Sequence, residues 1–243
     1  MIIYGINPVL EALRAGRVKE LRVRDGAGGR VRELLSMAGE RGVRVRRVAA
    51  DALDRDAQHG VHQGVVALVD GLPDYSIDDL VRGADGPALL VVLDGIEDPH
   101  NMGAILRTAD AAGVHGVVIQ SRRSAALDGA ASKASAGAVS HVRIAEVVNI
   151  ARALEELKDA GVWTVGLAEE GTTTYDAIDF TVPTAIVLGA EGTGLRRLVR
   201  ERCDLLASIP MRGHVSSLNV SVAAGVTLYE AVRQRRAGAP GRG

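Results

Sequence analysis

The chain of 243 residues holds one cysteine, one tryptophan, one phenylalanine and four tyrosines. A single thiol excludes an internal disulfide framework and suits a reducing compartment, so Cys203 reads as a buried or half-buried thiol. Aromatics at 2% disfavour single-strand binding by stacking bases on rings. They also leave Val, Leu, Ile and Ala to build the core, within an apolar fraction of 47%. The longest apolar run, 88–93, falls far short of a bilayer's width, so no membrane partner is expected. Met1-Ile2-Ile3-Tyr4-Gly5 lacks the basic flank and long apolar stretch of a signal peptide, and a cytoplasmic location is the expectation. The six histidines are scattered and no HxxxH or CxxC spacing occurs, so no metal site is expected.

A net charge of −1 hides an asymmetry. Residues 14–47 carry eleven Arg or Lys against four acids, Glu20, Asp25, Glu33 and Glu40. Residues 71–243 carry seventeen basic and twenty-one acidic side chains. A basic first module beside a faintly acidic second one suits approach to a polyanion through phosphate and shape contacts. Arg44, Arg46 and Arg47 are the candidate contacts. The alternative is a solvated, arginine-rich surface.

Periodicity predicts strands at 2–4, 20–23, 43–48 and 65–69 in the first part of the chain. It predicts helices at 8–15, capped by Asn7 with Pro8 in the first turn, and at 30–41. Asp70-Gly71-Leu72-Pro73-Asp74 is a turn-rich break, followed by a short capped helix at 76–81. Beyond it, strands are predicted at 89–93, 117–119, 142–144, 163–167, 185–188 and 206–209. The intervening helices are predicted near 101–112, 128–137, 149–160, 194–202 and 217–236. Near-continuous apolar strands separated by helices indicate an α/β fold with a parallel sheet covered on both faces. The expected division is a small domain at 1–69, a linker at 70–87, a larger domain at 88–236 and a flexible tail at 237–243. The end of the chain, from Arg233 onward, is basic, rich in Gly and Pro, and expected to fray.

Three segments start where a strand-like run ends and a helical pattern begins, which is where open α/β sheets bind ligands. They are Asp98-Pro99-His100-Asn101-Met102-Gly103-Ala104-Ile105-Leu106-Arg107, Leu188-Gly189-Ala190-Glu191-Gly192-Thr193-Gly194-Leu195, and Ile209-Pro210-Met211 through Ser216-Ser217-Leu218-Asn219-Val220-Ser221. The middle one sits where a dinucleotide loop would. Its spacing is GxxGxG, however, and no acidic residue follows at the position of a ribose partner. A glycine-rich loop alone also arises wherever a tight turn needs positive φ.

Together the three segments resemble the signature motifs of the SpoU (TrmH-like) family of RNA ribose 2'-O-methyltransferases. Asn101-x-Gly103-x-x-x-Arg107, Gly189-x-Glu191-Gly192-x-Gly194, and Ile209-Pro210-Met211 with Ser217-Leu218-Asn219-Val220-Ser221 match in order and separation. Tyr4-Gly5-Ile6-Asn7-Pro8 and His62-Gln63-Gly64 resemble the ends of that family's extra N-terminal domain, most like the bacterial 23S rRNA guanosine-2'-O-methyltransferase branch. The resemblance implies a knotted parallel-sheet (SPOUT, trefoil-knot) domain preceded by a small L30e-like RNA-binding domain. It implies S-adenosylmethionine as cofactor, RNA as substrate and a homodimer with each site near the subunit interface. A tRNA or antibiotic-resistance rRNA methyltransferase, or a non-catalytic ribosome assembly factor, are the alternative functions.

The same resemblance makes Arg107, Asn101, Glu191 and Asn219 the candidate catalytic residues. Leu188, Gly189, Gly192, Ile209, Met211, Ser217 and Leu218 are the candidates to enclose the cofactor. Guanidinium stays protonated in proteins, so Arg107 reads as a stabiliser of a forming alkoxide or an orienter of a phosphate rather than a base. Asn101 reads either as a hydrogen-bonding partner of Arg107 or the ribose, or as a helix N-cap. Glu191 reads as a hydrogen-bonding group in the active site, as a support for Asn101, or as a solvated turn residue. Ser217 and Asn219 read as helix caps or as ligand contacts. Val222, Val226 and Leu228 read as core or dimer contacts.

Overall fold

A computed structural model describes residues 1–26, 28–71, 73–121, 135 and 137–238. The helix expected at 128–137 falls almost wholly outside the described residues, as does the tail beyond residue 238.

The first part of the chain forms a four-stranded mixed sheet in the order β1-β4-β2-β3, from Ile2–Tyr4, Val65–Val69, Val18–Arg24 and Arg44–Val48. Helices α1 (Ile6–Arg14) and α2 (Arg30–Glu40) cover one face with Val9, Leu13, Val31 and Leu34, which meet Leu21 and Val23 of β2. Helix α1 begins earlier than its sequence pattern suggests. Gly5 is the N-cap at φ 95°, and Asn7 lies inside the helix, where its carbonyl oxygen accepts from Arg30. Pro8 remains compatible because the first-turn N–H groups have no intrahelical partner. A short helix α3 (Ala50–Asp56), not expected from periodicity, lays Leu53 against Val66 on the opposite face. It buries a single leucine, too little to register as a helical stripe.

Helix α4 (Ile77–Arg82) opens on a capping box in which Ser76 and Asp79 each satisfy the other's backbone N–H. Its Ile77 and Leu80 join the core beneath the second sheet, so the latter part of 70–87 packs as structure rather than as free linker. That sheet has seven strands, every pairing parallel, in the order β7-β6-β5-β10-β8-β11-β9. The strands are β5 (Leu89–Asp94), β6 (Gly116–Gln120), β7 (Ile144–Val147), β8 (Trp163–Leu167), β9 (Thr173–Thr174), β10 (Thr184–Gly189) and β11 (Leu205–Ser208). Strand β7 starts later than the pattern at 142–144 suggests, because a 3-10 turn at Ala138–Ser140 takes up the preceding chain.

Alternation along each strand serves two cores. Leu89, Val91, Leu93, Ile186 and Leu188 face α5 (Pro99–Ala111) and the C-terminal helix. Leu90, Val92 and Val187 face α4, α6 (Ile150–Asp159) and α7 (Arg197–Arg202). Burial on both faces explains why these strands read as unbroken apolar runs.

The C-terminal helix α8 spans Val220–Gly238, starting later and ending later than expected. Its basic end is anchored. Arg235 donates to the carbonyls of Pro87, Ala88, Phe180 and Val182, and Gln234 exchanges hydrogen bonds with Phe180 and Ile178. The two sheet units also touch. His141 Nε2 lies 2.8 Å from Glu11 Oε2, and Arg17 donates to the Ser140 hydroxyl at 3.1 Å.

Candidate active site

Strands β5, β6 and β7 build outward in one direction and β8 and β11 in the other, and β10 joins the two halves. The strand order therefore reverses at the carboxyl ends of β5 and β10, where parallel sheets leave a crevice. A cavity of about 710 Å³ opens there, within the range of small-molecule sites. Its walls are the strand ends around Leu167, Leu188 and Ala207, the loop from Gly189 to Gly194, the segment Ser208–Met211, and Ser216–Ala223. Leu188, Gly189, Gly192, Ile209, Met211, Ser217 and Leu218 all line it. Leu167, Ala168 and Glu169 line it as well and were missed in the sequence. They follow β8, and only the sheet order reveals that this strand end adjoins β10.

The glycine-rich loop folds back on itself. Ala190 and Gly194 exchange backbone hydrogen bonds of 3.1 and 2.8 Å, with Gly192 and Gly194 at φ +77° and +64°. A Cβ on Gly189 would stand 2.2 Å from the carbonyl carbon of Gly194, so only glycine permits this closure. The tightness of the turn sets Glu191 at its tip, pointing toward α5.

Helix α5 is capped by Asp98, whose carboxylate accepts from the N–H groups of His100 and Asn101. Asn101 is therefore not the cap. It lies inside the first turn, 8% exposed, with its side chain free for long-range contacts. Its Nδ2 donates to Glu191 Oε2 at 3.1 Å, and its Oδ1 accepts from Asn219 Nδ2 at 2.9 Å. Asn219 also caps α8, because its Oδ1 accepts from the Ser221 N–H and hydroxyl. The capping reading of Asn219 holds, and the same side chain reaches Asn101 and lines the cavity. Ser217 lies before the helix, on the cavity wall. The three segments are thus linked through one hydrogen-bonded chain, Glu191–Asn101–Asn219.

Arg107 does not join that chain. Six residues along a helix turn a side chain by about 240°, so Arg107 leaves α5 on a different face from Asn101. It is exposed, does not line the cavity, and has no hydrogen bond or ion pair among the described residues. Neighbouring Thr108 faces Gly225 of α8, whose Val222 and Tyr229 are 50% and 53% exposed. Leu228 is fully buried in the core.

The candidate RNA contacts divide between two faces of the small sheet. Arg44 and Arg46 stand beside Glu20 and Arg22, whereas Arg47 pairs in register with Val23 on the opposite face. Strand alternation enforces the split. Glu20 is 8% exposed and lies within 2.9 to 3.9 Å of Arg22, Arg46 and Arg44. The hydrogen bond from Arg22, aided by the other arginines, holds its carboxyl below the usual carboxylate range. Burial pushes the Cys203 thiol up to about 12, and Cys203 does not line the cavity. No helix among the described residues is long and apolar enough to cross a membrane.

The comparison with known proteins follows the same layout. The chain matches the model of the SpoU rRNA Methylase family over residues 88–229. It matches the model of the RNA 2'-O ribose methyltransferase substrate-binding domain over residues 2–75. It is 47% identical to the 23S rRNA (guanosine-2'-O-)-methyltransferase RlmB of Xylella fastidiosa, covering 96% of each chain. It is 48% identical to an uncharacterized tRNA/rRNA methyltransferase of Mycolicibacterium gilvum, covering 97% of this chain and 77% of that one. The crystal structure of the SpoU methyltransferase AviRb from Streptomyces viridochromogenes in complex with AdoMet superposes with a TM-score of 0.82. That match has 31% identity and covers 98% of this chain and 91% of the other. With two family models spanning nearly its whole length, a cavity lined by two of the signature segments and the third hydrogen-bonded to both, this chain belongs to the SpoU methyltransferase family.

Proposed function

We propose that this protein transfers a methyl group from S-adenosylmethionine to the 2'-hydroxyl of a guanosine in 23S ribosomal RNA. The observation that carries the reading is the meeting of all three segments: the second and third line the cavity, and Asn101 of the first hydrogen-bonds to Glu191 and Asn219 on its wall. The cavity suits the cofactor. Leu188, Ile209, Met211 and Leu218 supply apolar surface for an adenine ring, and the irregular backbone of Gly189–Gly194 and Ser208–Met211 supplies polar edges. When bound, the cofactor offers a methyl group on a positively charged sulfonium.

The chain's own residues must then align the ribose oxygen and stabilise the charge that develops on it. Asn101 is fixed from both sides by Glu191 and Asn219, so its amide is held preorganised behind those two cavity-lining residues. In this reading Arg107 stabilises the forming alkoxide. Its exposed place on α5, a helix that packs against α8 with its half-exposed Val222 and Tyr229, supports a homodimer in which it reaches a site at the subunit interface. Residues 1–69 form the RNA-holding unit, with Arg44 and Arg46 as contacts, and 88–236 the catalytic unit. Family membership supports a trefoil knot in that unit, and an rRNA substrate supports action in the cytoplasm.

Two measurements test the reading. S-adenosylmethionine is expected to raise the melting temperature through binding to the folded state, and NAD is not. Mapping of 2'-O-methyl groups in total RNA with and without the protein is expected to show one guanosine of 23S rRNA lost in its absence. Stabilisation by NAD alone, or loss of a tRNA site instead, would overturn the cofactor or the substrate respectively.

A further inference from the structure

Asp94 is the last residue of β5, in register with Gly189, and its side chain is wholly buried. Both carboxylate oxygens serve one residue. Oδ2 accepts from the backbone N–H of Arg196 at 2.8 Å, and Oδ1 accepts from Arg196 Nε at 2.6 Å and lies 2.5 Å from Nη2. Arg196 itself is 46% exposed and stands with Asp94, Asn101 and Glu191 around a second cavity of about 360 Å³. None of these contacts follows from the signature segments, since neither Asp94 nor Arg196 belongs to one.

The position of the pair gives it a task. The loop carrying Glu191 is held at its entrance by the last rung of the β5–β10 ladder and at its exit by Arg196 on Asp94. The chain leaving Asp94 runs through Asp98 into α5, which carries Asn101. One buried carboxylate therefore locates both ends of the Glu191–Asn101 hydrogen bond. Apolar packing could close the loop as firmly. A charged fork on a carboxylate, backed by a backbone N–H, fixes direction as well as distance.

We propose that Asp94 and Arg196 are positioning residues for methyl transfer, acting through Glu191 by setting its approach to Asn101. The proposal rests on the methyltransferase reading and on no contact between Arg196 and substrate. Displacing Glu191 by about 1 Å is expected to cost on the order of 10²-fold in kcat.

The test uses the full-length protein, tritiated S-adenosylmethionine and unmodified 23S rRNA. Asp94→Asn, Arg196→Ala and Arg196→Lys are each made alone and combined with Glu191→Gln. Alone, the first two are expected to lower kcat by roughly 10²-fold while the KM for RNA and the Kd for cofactor stay within about threefold. Arg196→Lys is expected to recover part of the loss, since an ammonium reaches the carboxylate without the fork. In the Glu191→Gln background the same changes are expected to cost less than about twofold, because the residue they act through is already altered. Losses that multiply fully with Glu191→Gln, or that lie wholly in cofactor affinity or melting temperature, would overturn the proposal. So would a Glu191→Gln protein of normal kcat. If Asp94→Asn fails to fold, the two Arg196 variants, altered at a half-exposed side chain, decide the matter. Wild-type protein that neither binds cofactor nor methylates RNA would show instead that the underlying functional reading is wrong, and the proposal falls with it.

Discussion

Asn101 illustrates how much one side chain can be asked to do. Its amide links Glu191 and Asn219 from segments 90 and 118 residues away, while Asp98 relieves it of capping α5. Asn101→Ala leaves a carboxylate and an amide unpartnered at once. Stopped-time methylation assays are expected to show kcat lowered by at least about tenfold, with a lower melting temperature. Arg107 makes a sharper test, because it has no hydrogen bond or ion pair among the described residues. If it acts only on charge in the transition state, Arg107→Ala is expected to lower kcat by about 10²–10³-fold with cofactor affinity unchanged. Arg107→Lys is expected to rescue poorly. Mixing Arg107→Ala with Asn101→Ala protein tests the interface directly. Recovered activity places the two residues of one site on different subunits, and no recovery places them on the same one.

At the scale of elements, the glycine-rich loop and helix α8 carry the architecture of the site. Gly189→Ala introduces a Cβ into backbone at 2.2 Å, which cannot move without opening the Ala190–Gly194 closure. Calorimetric titration is expected to show cofactor binding lost, while circular dichroism stays near that of the wild type. Helix α8 is fastened under the sheet by Arg235, which serves four carbonyl groups. Arg235→Ala is expected to cost about 2 kcal/mol, read as a fall of several degrees in melting temperature. Nearby, the Arg233 guanidinium and the Gln234 amide hold the Glu230 carboxyl down to about 2, against an ordinary 4.5. A carboxylate with a depressed folded pKa contributes stability in full above its ordinary value and loses it as pH falls toward the folded one. Urea titrations across that acid range are expected to show a shallower loss of stability for Glu230→Gln than for the wild type.

Across the whole molecule, two units meet through a few polar contacts, Glu11 with His141 and Arg17 with Ser140. Removing residues 1–69 is expected to leave a protein that binds cofactor and methylates RNA poorly, provided the cut spares Ile77 and Leu80 of α4. The RNA-holding surface is testable by its salt dependence. Replacing Arg44 and Arg46 by Ala is expected to weaken RNA binding and flatten its dependence on salt concentration, since fewer counterions are released. An unchanged slope would mark the arginines around Glu20 as structure within the sheet rather than as contacts.

Local pattern determined a great deal here. Apolar runs set most strands of the parallel sheet, Ser76 announced the capped helix before them, and polar-to-helix junctions marked two of the segments that line the cavity. These features depend on residues within one turn or one strand of each other, which is the range that periodicity and capping report. What depends on register and strand order was decided only by the tertiary structure. Alternation on β3 separated Arg47 from Arg44 and Arg46, and the turn of α5 carried Arg107 away from Asn101. The reversal of strand order placed β8's end on the cavity. No local pattern marks Asp94 or Arg196. Only the packing of β5 against β10 brings that carboxylate beneath that guanidinium, where burial without a partner would be prohibitive and the pairing therefore forms.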